Sequence, residues 1–270
     1  MREASGRFLP SGPLPMSRSP ATPPRWLAAV DDDRDDAVLR ELALDEALLE
    51  EAHEGVRDVV VVRTWMAARP VVVVGSSSRV AEEVDLAACG EAGVGVVRRP
   101  SGGATVVLGP GCLMWSVVTP FPEGAPPVER IHEAMLGPLA AGLALEGIPA
   151  SRRGTSDLVV ESADGLRKVS GNALRVRRHG VLYHGTLLDA FDIGLAERLL
   201  RHPPREPEYR GRRRHGDFLA NLGLGRRRLE ELVRRAFGAE GPLPPERLPR
   251  ERVERLLRER YADAAWNHRL

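Results

Sequence analysis

The sequence predicts an α+β fold in which two small mixed or antiparallel β-sheets are flanked by helices. Short β-branched runs form two groups along the chain, helical patterns lie between and after these groups, and no internal repeat is present. Strands and helices do not alternate one by one, as they would in a doubly wound parallel sheet. A length of 270 residues suits one large domain, or one domain with a small appendage.

Composition argues against several classes of protein. The formal net charge is +1, which carries no signature of general nucleic-acid binding. No apolar run approaches the roughly 20 residues of a membrane helix. The two cysteines, Cys89 and Cys112, are too few and too widely spaced for a zinc site or a disulfide framework. We therefore expect a protein of the reducing cytoplasm that binds neither nucleic acid nor membrane.

The chain begins with a segment whose composition predicts no regular secondary structure. Residues 1–25 are rich in Pro, Ser and Gly, which predicts a disordered tail, unless translation begins at Met16. Trp26–Val30 is typical of a short strand and Asp31–Asp36 of an acidic loop. Ala37–Ala52 has its leucines and alanines at helical spacing, which predicts an amphipathic helix.

The first group of strands follows this helix. Val59–Thr64 and Pro70–Gly75 are β-branched runs about five residues apart, which predicts an antiparallel pair. Asp85–Ala92 is typical of a helix, and Val94–Arg98 of a strand that enters a glycine-containing turn. Two more strands are divided by a Gly-Pro-Gly turn: Val106–Leu108 and Leu113–Thr119.

A long helix separates this group from the second. It is predicted from Pro126 to Glu146, and the strands that follow are Leu158–Val160, Val169–Val176 and Val181–Leu188. The remainder is mostly helical and rich in arginine. Its helices are predicted at Arg226–Phe237 and Pro249–Ala265, with a proline-rich linker at Gly241–Pro249.

The chain contains 38 arginines and one lysine, Lys168. A bias toward arginine codons would replace lysine by arginine at every surface position where either positive charge serves equally well. Lys168 is then a candidate for a site where a planar guanidinium cannot substitute for a compact ammonium group. The alternative is that one lysine survives by chance.

The first segment that could carry chemistry is RRPSGGATVV, Arg98–Val107. Glycines let the backbone approach a ligand closely, turn N–H groups cradle an anion, and arginine offers a forked contact to phosphate or carboxylate. The alternative is an ordinary Gly-Gly hairpin with solvated arginines. The segment lacks the Gly-Lys-Ser/Thr ending of a phosphate-binding P-loop, and Gly93–Arg98 does not complete a dinucleotide-binding fingerprint.

The second segment joins two strands. Asp157 heads one strand, and Lys168 begins the next beside Ser170 and Gly171. An ammonium group there would neutralise the charge that develops when a carboxylate attacks an α-phosphate, or when an amine opens the resulting mixed anhydride. Asp157 would pair with Lys168 or hold Mg²⁺. The alternative is a hairpin with solvated charges.

Three further features have two interpretations each. His184, within YHGTLL, is either a hydrogen-bonded core residue or a catalyst. Cys112 is either a buried inert thiol or an acyl-accepting nucleophile whose pKa His184 would lower. The clusters Arg212–Arg214 and Arg226–Arg228 are either solvated helix faces or guides for an acidic partner surface.

Four motifs, taken in order, resemble the biotin/lipoate protein ligase superfamily, and most closely its lipoate–protein ligase A branch. They are RRPSGGATV (Arg98–Val106), SDLVV (Ser156–Val160), KVSGNA (Lys168–Ala173) and YHGTLL (Tyr183–Leu188), with RPVVVVGSSS (Arg69–Ser78) as a further match. The resemblance covers roughly residues 26–237. Biotin ligase itself fits less well, because its GRGRRGR-type loop is missing.

This resemblance implies a class II synthetase-like fold, with a catalytic domain over residues 26–240 and a linker and helix, 241–270, packed on it. It implies adenylation of lipoate or octanoate by ATP with Mg²⁺, then acyl transfer to a lysine of a lipoyl domain. The acceptors would be 2-oxoacid dehydrogenases or the glycine cleavage H protein.

The resemblance also assigns roles to residues. Lys168 becomes the catalytic charge stabiliser and Asp157 a candidate Mg²⁺ ligand. The implied binding residues for ATP and the acyl adenylate are Arg99, Ser101, Gly102, Gly103, Ala104, Thr105, Val106, Val107, Lys168, Ser170, Gly171 and His184.

Three departures from the family pattern leave other functions open. Ala104 replaces the third glycine of the loop, and Leu108-Gly109 replaces a His-Asp pair. Full-length bacterial ligases continue into an accessory C-terminal domain, and we expect a separate polypeptide to supply that domain here. The alternatives are a cysteine-dependent octanoyltransferase that takes octanoyl from acyl carrier protein, and a non-catalytic acyl-binding relative.

Overall fold

The computed structural model describes residues 24–28 and 36–270. Residues 1–23 of the predicted tail and 31–35 of the predicted acidic loop lie outside this part of the chain. The strands are β1 (Arg25–Ala28), β2 (Val61–Met66), β3 (Val71–Val74), β4 (Gly95–Arg98), β5 (Val106–Leu108), β6 (Cys112–Pro120), β7 (Ser151–Arg153), β8 (Asp157–Ser162), β9 (Gly165–Ser170), β10 (Asn172–Arg177), β11 (Gly180–Leu188) and β12 (Gly241–Pro242).

The helices lie between and after the strand groups, as predicted. They are α1 (Ala37–Glu54), α2 (Val80–Glu83), α3 (Leu86–Glu91), α4 (Val128–Leu145), α5 (Ile193–Leu199), α6 (His215–Phe218), α7 (Arg226–Ala236), α8 (Arg250–Leu256) and α9 (Ala264–His268). Short 3₁₀ turns lie at Glu208–Arg210 and Pro245–Arg247, and a π-helical turn at Leu257–Tyr261 follows α8.

The largest sheet has six strands in the order β10-β11-β6-β2-β1-β12. Its first four strands are antiparallel, and β1 pairs in parallel with both β2 and β12. Every residue of β6 and β11 is buried, because α1 covers one face of the sheet while α4 and α7 cover the other. This is why both strands are apolar over most of their length instead of alternating with polar residues.

Two three-stranded sheets complete the α+β fold. One has the order β4-β3-β5, with β3 parallel to β4 and antiparallel to β5. The other, β7-β8-β9, is antiparallel. The loop between β4 and β5 carries the Arg-Ser-Gly-Gly motif, and β9 carries Lys168. The fold class is therefore confirmed as mixed α+β, with three sheets instead of two.

Two predictions about strands are wrong, the first in which strands pair and the second in where a strand ends. Val59–Thr64 and Pro70–Gly75 do not form an antiparallel pair, since β2 joins the six-stranded sheet and β3 joins β4 and β5. The predicted strand Val169–Val176 is two strands, which break at Gly171 and join different sheets. A run of β-branched residues indicates a strand but not its partner, and pairing depends on residues distant in sequence.

The C-terminal region packs against the rest of the fold. Helix α8 contacts α1, and α9 contacts β4. The fully buried Arg98 donates to the carbonyls of Trp266 and Arg269 and, at 2.7 and 2.8 Å, to those of Gly75 and Ser78. The predicted single helix Pro249–Ala265 is interrupted after the π-helical turn, and the predicted linker contains β12.

Candidate active site

A cavity of about 260 Å³ lies where the three sheets meet. Its walls come from β3 and β5, from β6 and β11, and from β8, β9 and the segment that follows α5. Ten of the predicted site residues line it: Arg99, Gly103, Ala104, Thr105, Val106, Val107, Asp157, Lys168, Gly171 and His184. Ser101, Gly102 and Ser170 do not line it.

Lys168 and Asp157 form an ion pair in this cavity. Lys168 Nζ lies 2.7 Å from Asp157 Oδ1, and the Lys168 side chain is 23% exposed. Tyr209, which the sequence reasoning missed, donates its hydroxyl to Asp157 Oδ2 at 2.8 Å. Of the two roles predicted for Asp157, the pairing with Lys168 is observed.

Gly171 makes room for the Lys168 side chain. A Cβ at position 171 would lie 2.7 Å from both Cε and Nζ of Lys168, closer than non-bonded carbon atoms can approach. The Gly171 carbonyl also accepts from the Thr186 amide at 3.0 Å. The break between β9 and β10 therefore lies where the backbone must pass beneath the ammonium group.

The Arg99 side chain holds the Arg-Ser-Gly-Gly loop in shape. Its guanidinium donates to the carbonyls of Val73, Gly102 and Ala104 at 3.1, 2.7 and 2.9 Å, and to Ser101 Oγ at 3.1 Å. Burial lowers the pKa of Arg99 to about 10. Since these donors already have partners in the protein, Arg99 forms a fixed wall of the cavity.

The loop rests against the turn that follows β3. The Ser101 carbonyl accepts from the Ser76 amide at 2.8 Å, and a Cβ at Gly75 would lie 2.1 Å from the Gly103 oxygen. Gly103 itself has a φ of +89°, in the region that favours glycine. The glycines thus serve close packing of two backbone segments, whereas the sequence predicted that they let the backbone approach a ligand, which stays a prediction.

His184 belongs to a buried polar network. Its Nε2 shares a hydrogen bond of 2.5 Å with Ser101 Oγ, and its Nδ1 lies 3.6 Å from Asp45 Oδ2. Asp45 forms an ion pair with Arg63 and accepts from Ser116 Oγ at 2.7 Å. Burial alone would raise the pKa of Asp45, but Arg63 and these hydrogen bonds hold it below its ordinary value.

This network was only partly predictable. His184 was expected either in the core or in the site, and it is 4% exposed and also lines the cavity. Asp45 and Arg63 were missed, because an acid on an amphipathic helix and an arginine on a strand carry no local signal of burial. Glu83 was missed as well, and it accepts from the Thr105 amide and hydroxyl at 2.8 and 2.7 Å.

One part of the cavity is apolar. Its residues come from α1 and from four separate strand or loop segments: Leu42, Val73, Val107, Met114, Leu188 and Phe191. The ion pair of Lys168 and Asp157 belongs to the polar part. An elongated apolar ligand with one charged end suits such a division.

Neither cysteine lines the cavity. Cys112 is fully buried, and burial raises its pKa to about 12. Cys89 is 2% exposed, and burial together with Asp85 raises its pKa. A thiol whose pKa is raised by burial is a poor nucleophile at neutral pH. The interpretation of Cys112 as an inert buried thiol therefore fits the structure better than that of a nucleophile activated by His184.

Many of the clustered arginines have partners in the fold. Arg213 donates to backbone carbonyls of Leu166, Tyr209 and Arg210, and Arg214 pairs with Glu197 at 2.8 Å. In the second cluster, Arg226 pairs with Glu230 and Arg228 with Glu146. Arg213 thus supports the wall of the cavity, while the ion pairs are partly exposed contacts of small energetic value.

Within residues 24–28 and 36–270, no group of three or more His, Cys, Asp and Glu side chains could hold a metal ion. Both oxygens of Asp157 already accept from donors. The role of Asp157 as a Mg²⁺ ligand stays a prediction. No helix in this part of the chain is long and apolar enough to cross a membrane.

Comparison with known proteins gives one family. Residues 37–232 match the model of the lipoyl protein ligase A/B catalytic domain. A lipoate-protein ligase A of Aeropyrum pernix is 33% identical over 159 residues, which are 59% of this chain and 56% of that protein. The octanoyltransferase LipM of Carboxydothermus hydrogenoformans is 32% identical over 183 residues, 63% of this chain and 67% of that one.

Solved structures share the fold. One is a bipartite lipoate protein ligase of Thermoplasma acidophilum, described together with its E2 lipoyl domain, which superposes with a TM-score of 0.76 at 19% identity. The match covers 91% of this chain and 96% of the T. acidophilum chain. A lipoate-protein ligase A bound with ATP has a TM-score of 0.71 at 19% identity, with 92% and 98% covered. The matched segment spans little more than half of the A. pernix relative.

Proposed function

Because this chain belongs to the lipoyl protein ligase A/B catalytic domain family, we propose that it is a lipoate–protein ligase. It activates lipoate or octanoate with ATP and transfers the acyl group to a lysine of a lipoyl domain. The catalytic domain is assigned to residues 26–240, with 241–270 packed on it. A reaction that consumes ATP is consistent with the cytoplasm.

One observation carries the proposal. The only lysine of the chain, Lys168, lies in a cavity with an apolar wall and is held by Asp157 at 2.7 Å. The apolar wall suits the aliphatic chain of an acyl substrate, and the ammonium group suits its carboxylate end. A positive charge beside an apolar wall would stabilise the negative charge that develops when a fatty carboxylate is activated.

In the first half-reaction the acyl carboxylate oxygen attacks the α-phosphorus of ATP. A bond forms between these atoms, the bond from the α-phosphorus to the bridging oxygen breaks, and pyrophosphate leaves. Negative charge gathers on the α-phosphate oxygens as this happens. The Lys168 ammonium stabilises that charge, and the rigid loop held by Arg99 orients the substrate and excludes water.

In the second half-reaction the ε-amine of the acceptor lysine attacks the carbonyl carbon of the acyl adenylate. The amide bond forms, the bond to the phosphate oxygen breaks, and AMP leaves with the electron pair. The amine releases a proton to solvent or to the phosphate. Departure of AMP needs little acid catalysis, so positioning and charge stabilisation supply most of the rate.

The substrates and partners follow from relatives. Lipoate and ATP are supported by the names of the ligases that share this fold, one of them bound with ATP. Mg²⁺ would be held mainly by the phosphates of ATP, since Mg²⁺ sites in such enzymes need few protein ligands. Lipoyl domains of 2-oxoacid dehydrogenases or the glycine cleavage H protein are the proposed acceptors.

A separate accessory subunit is part of the proposal. The T. acidophilum neighbour is described as bipartite, and its fold covers 91% of this chain. We therefore propose that adenylation by this chain depends on, or is accelerated by, a second polypeptide. Transfer from preformed lipoyl-AMP would not need it.

A second candidate is a cysteine-dependent octanoyltransferase, which the similarity to LipM favours. That reaction needs a reactive thiol beside the acyl group. Cys112 and Cys89 are both buried, both have raised pKa values, and neither lines the cavity. The ligase is therefore the better-supported function. A non-catalytic acyl-binding relative would have no need for the Lys168–Asp157 pair.

The test is acylation of an apo lipoyl domain, followed by intact mass. The purified chain is supplied with ATP, Mg²⁺ and lipoate, with and without a candidate accessory protein, and in parallel with synthetic lipoyl-AMP. We expect the mass of one lipoyl group on the acceptor, at least from lipoyl-AMP, and a loss of about 100-fold in Lys168→Arg.

The control is the double variant Cys89→Ser, Cys112→Ser, which should retain the activity. Acylation from octanoyl–acyl carrier protein alone, lost in the double variant, would establish the octanoyltransferase instead. Lack of acylation from every donor, with or without the accessory protein, would support the non-catalytic relative.

A further inference from the structure

We propose that residues 264–269, the α9 segment, position the Arg-Ser-Gly-Gly loop that forms one wall of the cavity. The segment lies behind that wall, since none of its residues, all of which the structure describes, lines the cavity. It acts through two parts of the fold, the side chain of Arg98 and the turn at residues 75–78. The contacts exist whatever the loop binds, and the identity of its ligand rests on the proposed function.

Arg98 joins the start of the loop to the α9 segment. Its side chain is fully buried, its Nε donates to the Trp266 carbonyl at 3.1 Å, and its Nη2 donates to the Arg269 carbonyl. Its backbone amide donates to Asn267 Oδ1 at 2.9 Å, and Asn267 Nδ2 donates to the Tyr261 carbonyl at 2.8 Å. The last carbonyls of a helix have no amide of their own helix to accept from, and Arg98 supplies donors to them.

Trp266 fixes the segment through its indole ring. Its Nε1 donates to the Arg98 carbonyl at 3.3 Å. The guanidinium carbons of Arg269 and Arg260 lie 3.6 and 4.6 Å from the centre of its ring, which is a favourable contact between a cation and an aromatic face. Because a helix of five residues is not stable by itself, these contacts determine where α9 lies.

The turn at residues 75–78 is the second part through which the segment acts. Arg98 Nη1 donates to the carbonyls of Gly75 and Ser78 at 2.7 and 2.8 Å. Arg269 Nη2 donates to the Ser76 carbonyl at 3.0 Å. Three carbonyls of the turn thus accept from guanidinium groups that belong to the α9 segment or are held by it.

The same turn contacts the loop on its other side. The Ser76 amide donates to the Ser101 carbonyl at 2.8 Å, and the Ser78 hydroxyl donates to the Gly103 carbonyl at 3.3 Å. Gly103 and Ala104 line the cavity. A continuous path of hydrogen bonds therefore runs from the α9 segment through the turn to the cavity wall.

The α9 segment contributes little to the apolar core. The core residues after position 250 are Val253, Leu256, Leu257 and Tyr261, which all precede it. Within the fully described segment only Asn267 is buried, and α9 contacts β4 and the preceding π-helical turn. Loss of a side chain from the segment should therefore release the loop without unfolding the core.

Hydrogen exchange of the full chain, followed by mass spectrometry, tests this path. It compares Trp266→Ala and Asn267→Ala with the unchanged chain, over peptides that contain residues 75–78 and 99–105. We expect exchange in these peptides to become about tenfold faster or more, with exchange in β6 and β11 unchanged. Trp266→Phe, which keeps an aromatic ring for the two guanidinium groups, should restore most of the protection.

Binding of lipoic acid shows whether the position of the loop matters to a ligand. A pre-organised wall binds more tightly than one that must be ordered on binding. Equilibrium titration with lipoic acid should give a Kd raised about tenfold in both alanine variants, and raised less in Trp266→Phe. Urea unfolding of each variant should give a midpoint close to that of the unchanged chain.

His268→Ala is the matched control, because His268 is exposed on the same helix and its loss should alter neither loop exchange nor binding. The proposal is overturned if loop exchange in both folded alanine variants stays within twofold of the unchanged chain, or if exchange rises equally in β6 and β11. It is also overturned if the loop is released and lipoic acid binds as before. If the unchanged chain binds no lipoic acid while the exchange result holds, the proposed function fails and the positioning of the loop stands.

Discussion

At the scale of single residues, Lys168 and Gly171 share one small volume. The Lys168 ammonium group lies so close to the Gly171 backbone that a Cβ at position 171 would collide with it. The same ammonium group forms an ion pair with Asp157. The position of the Lys168 side chain thus depends on a residue that has no functional side chain of its own. This dependence gives a test that leaves every charged group in place.

Gly171→Ala should lower acyl transfer from lipoyl-AMP by about 100-fold, because the added methyl group displaces Nζ from its place beside Asp157. The measurement is the rate of lipoyl-domain acylation. Gly137→Ala on α4 is the matched control, since a Cβ there meets no atom within 4 Å. A rate for Gly171→Ala within threefold of that control would contradict this account of the lysine.

At the scale of elements, one buried ion pair joins α1 to the six-stranded sheet beneath the site. Asp45 on α1 and Arg63 on β2 are each at most 1% exposed, and His184 on β11 continues the contact to Ser101 in the loop. Arg63 also pairs with Glu41, so the guanidinium bridges two carboxylates of α1, and removal of Asp45 takes away the more deeply buried of the two. Helix, sheet and loop are therefore fixed to each other by polar contacts as well as by the apolar core.

Asp45→Asn should lower the free energy of unfolding by about 2 kcal/mol, because Arg63 loses one of its two carboxylate partners and keeps only Glu41. Urea titration at pH 7 measures this. Asp58→Asn offers the comparison, since that carboxylate is 73% exposed, and its loss should cost less than about 1 kcal/mol. Equal losses in the two variants would show that the buried pair adds nothing to stability.

The elements also show the limits of sequence reasoning. Four motifs that are far apart in the chain predicted a common site, and ten of the predicted site residues line one cavity. The pairing of β2 and β3 was wrong, because local patterns do not encode which distant strand a segment meets. Asp45, Glu83 and Tyr209 were missed, since their partners lie far away in sequence.

At the scale of the whole molecule, a partly buried histidine, His215, is expected to make stability depend on pH. Burial, and then the charge of Arg210, lower the pKa of His215 to about 4. An imidazole in the unfolded chain takes up its proton near pH 6.5. The unfolded state therefore binds more protons between these two pH values, and stability falls as the pH is lowered from 6.5 toward 4.

Between pH 7 and pH 5, His215 should account for a loss of about 2 kcal/mol in the free energy of unfolding. His215→Gln should remove this part of the acid sensitivity, and urea midpoints at the two pH values measure it. The exposed His268→Gln should behave as the unchanged chain. An unaltered pH dependence in His215→Gln would show that His215 is protonated as easily when folded as when unfolded.

The lone lysine has one more consequence. A mixed anhydride of lipoate and AMP is an amine-reactive reagent, and any that escapes from the cavity would modify lysines on the nearest protein surface. This chain presents arginines there instead, whose guanidinium groups stay protonated and do not attack acyl carbonyls. Lys168, the only lysine side chain of the chain, is engaged by Asp157. Apart from the amino terminus and Lys168, the chain has no amine that the proposed acyl adenylate could acylate.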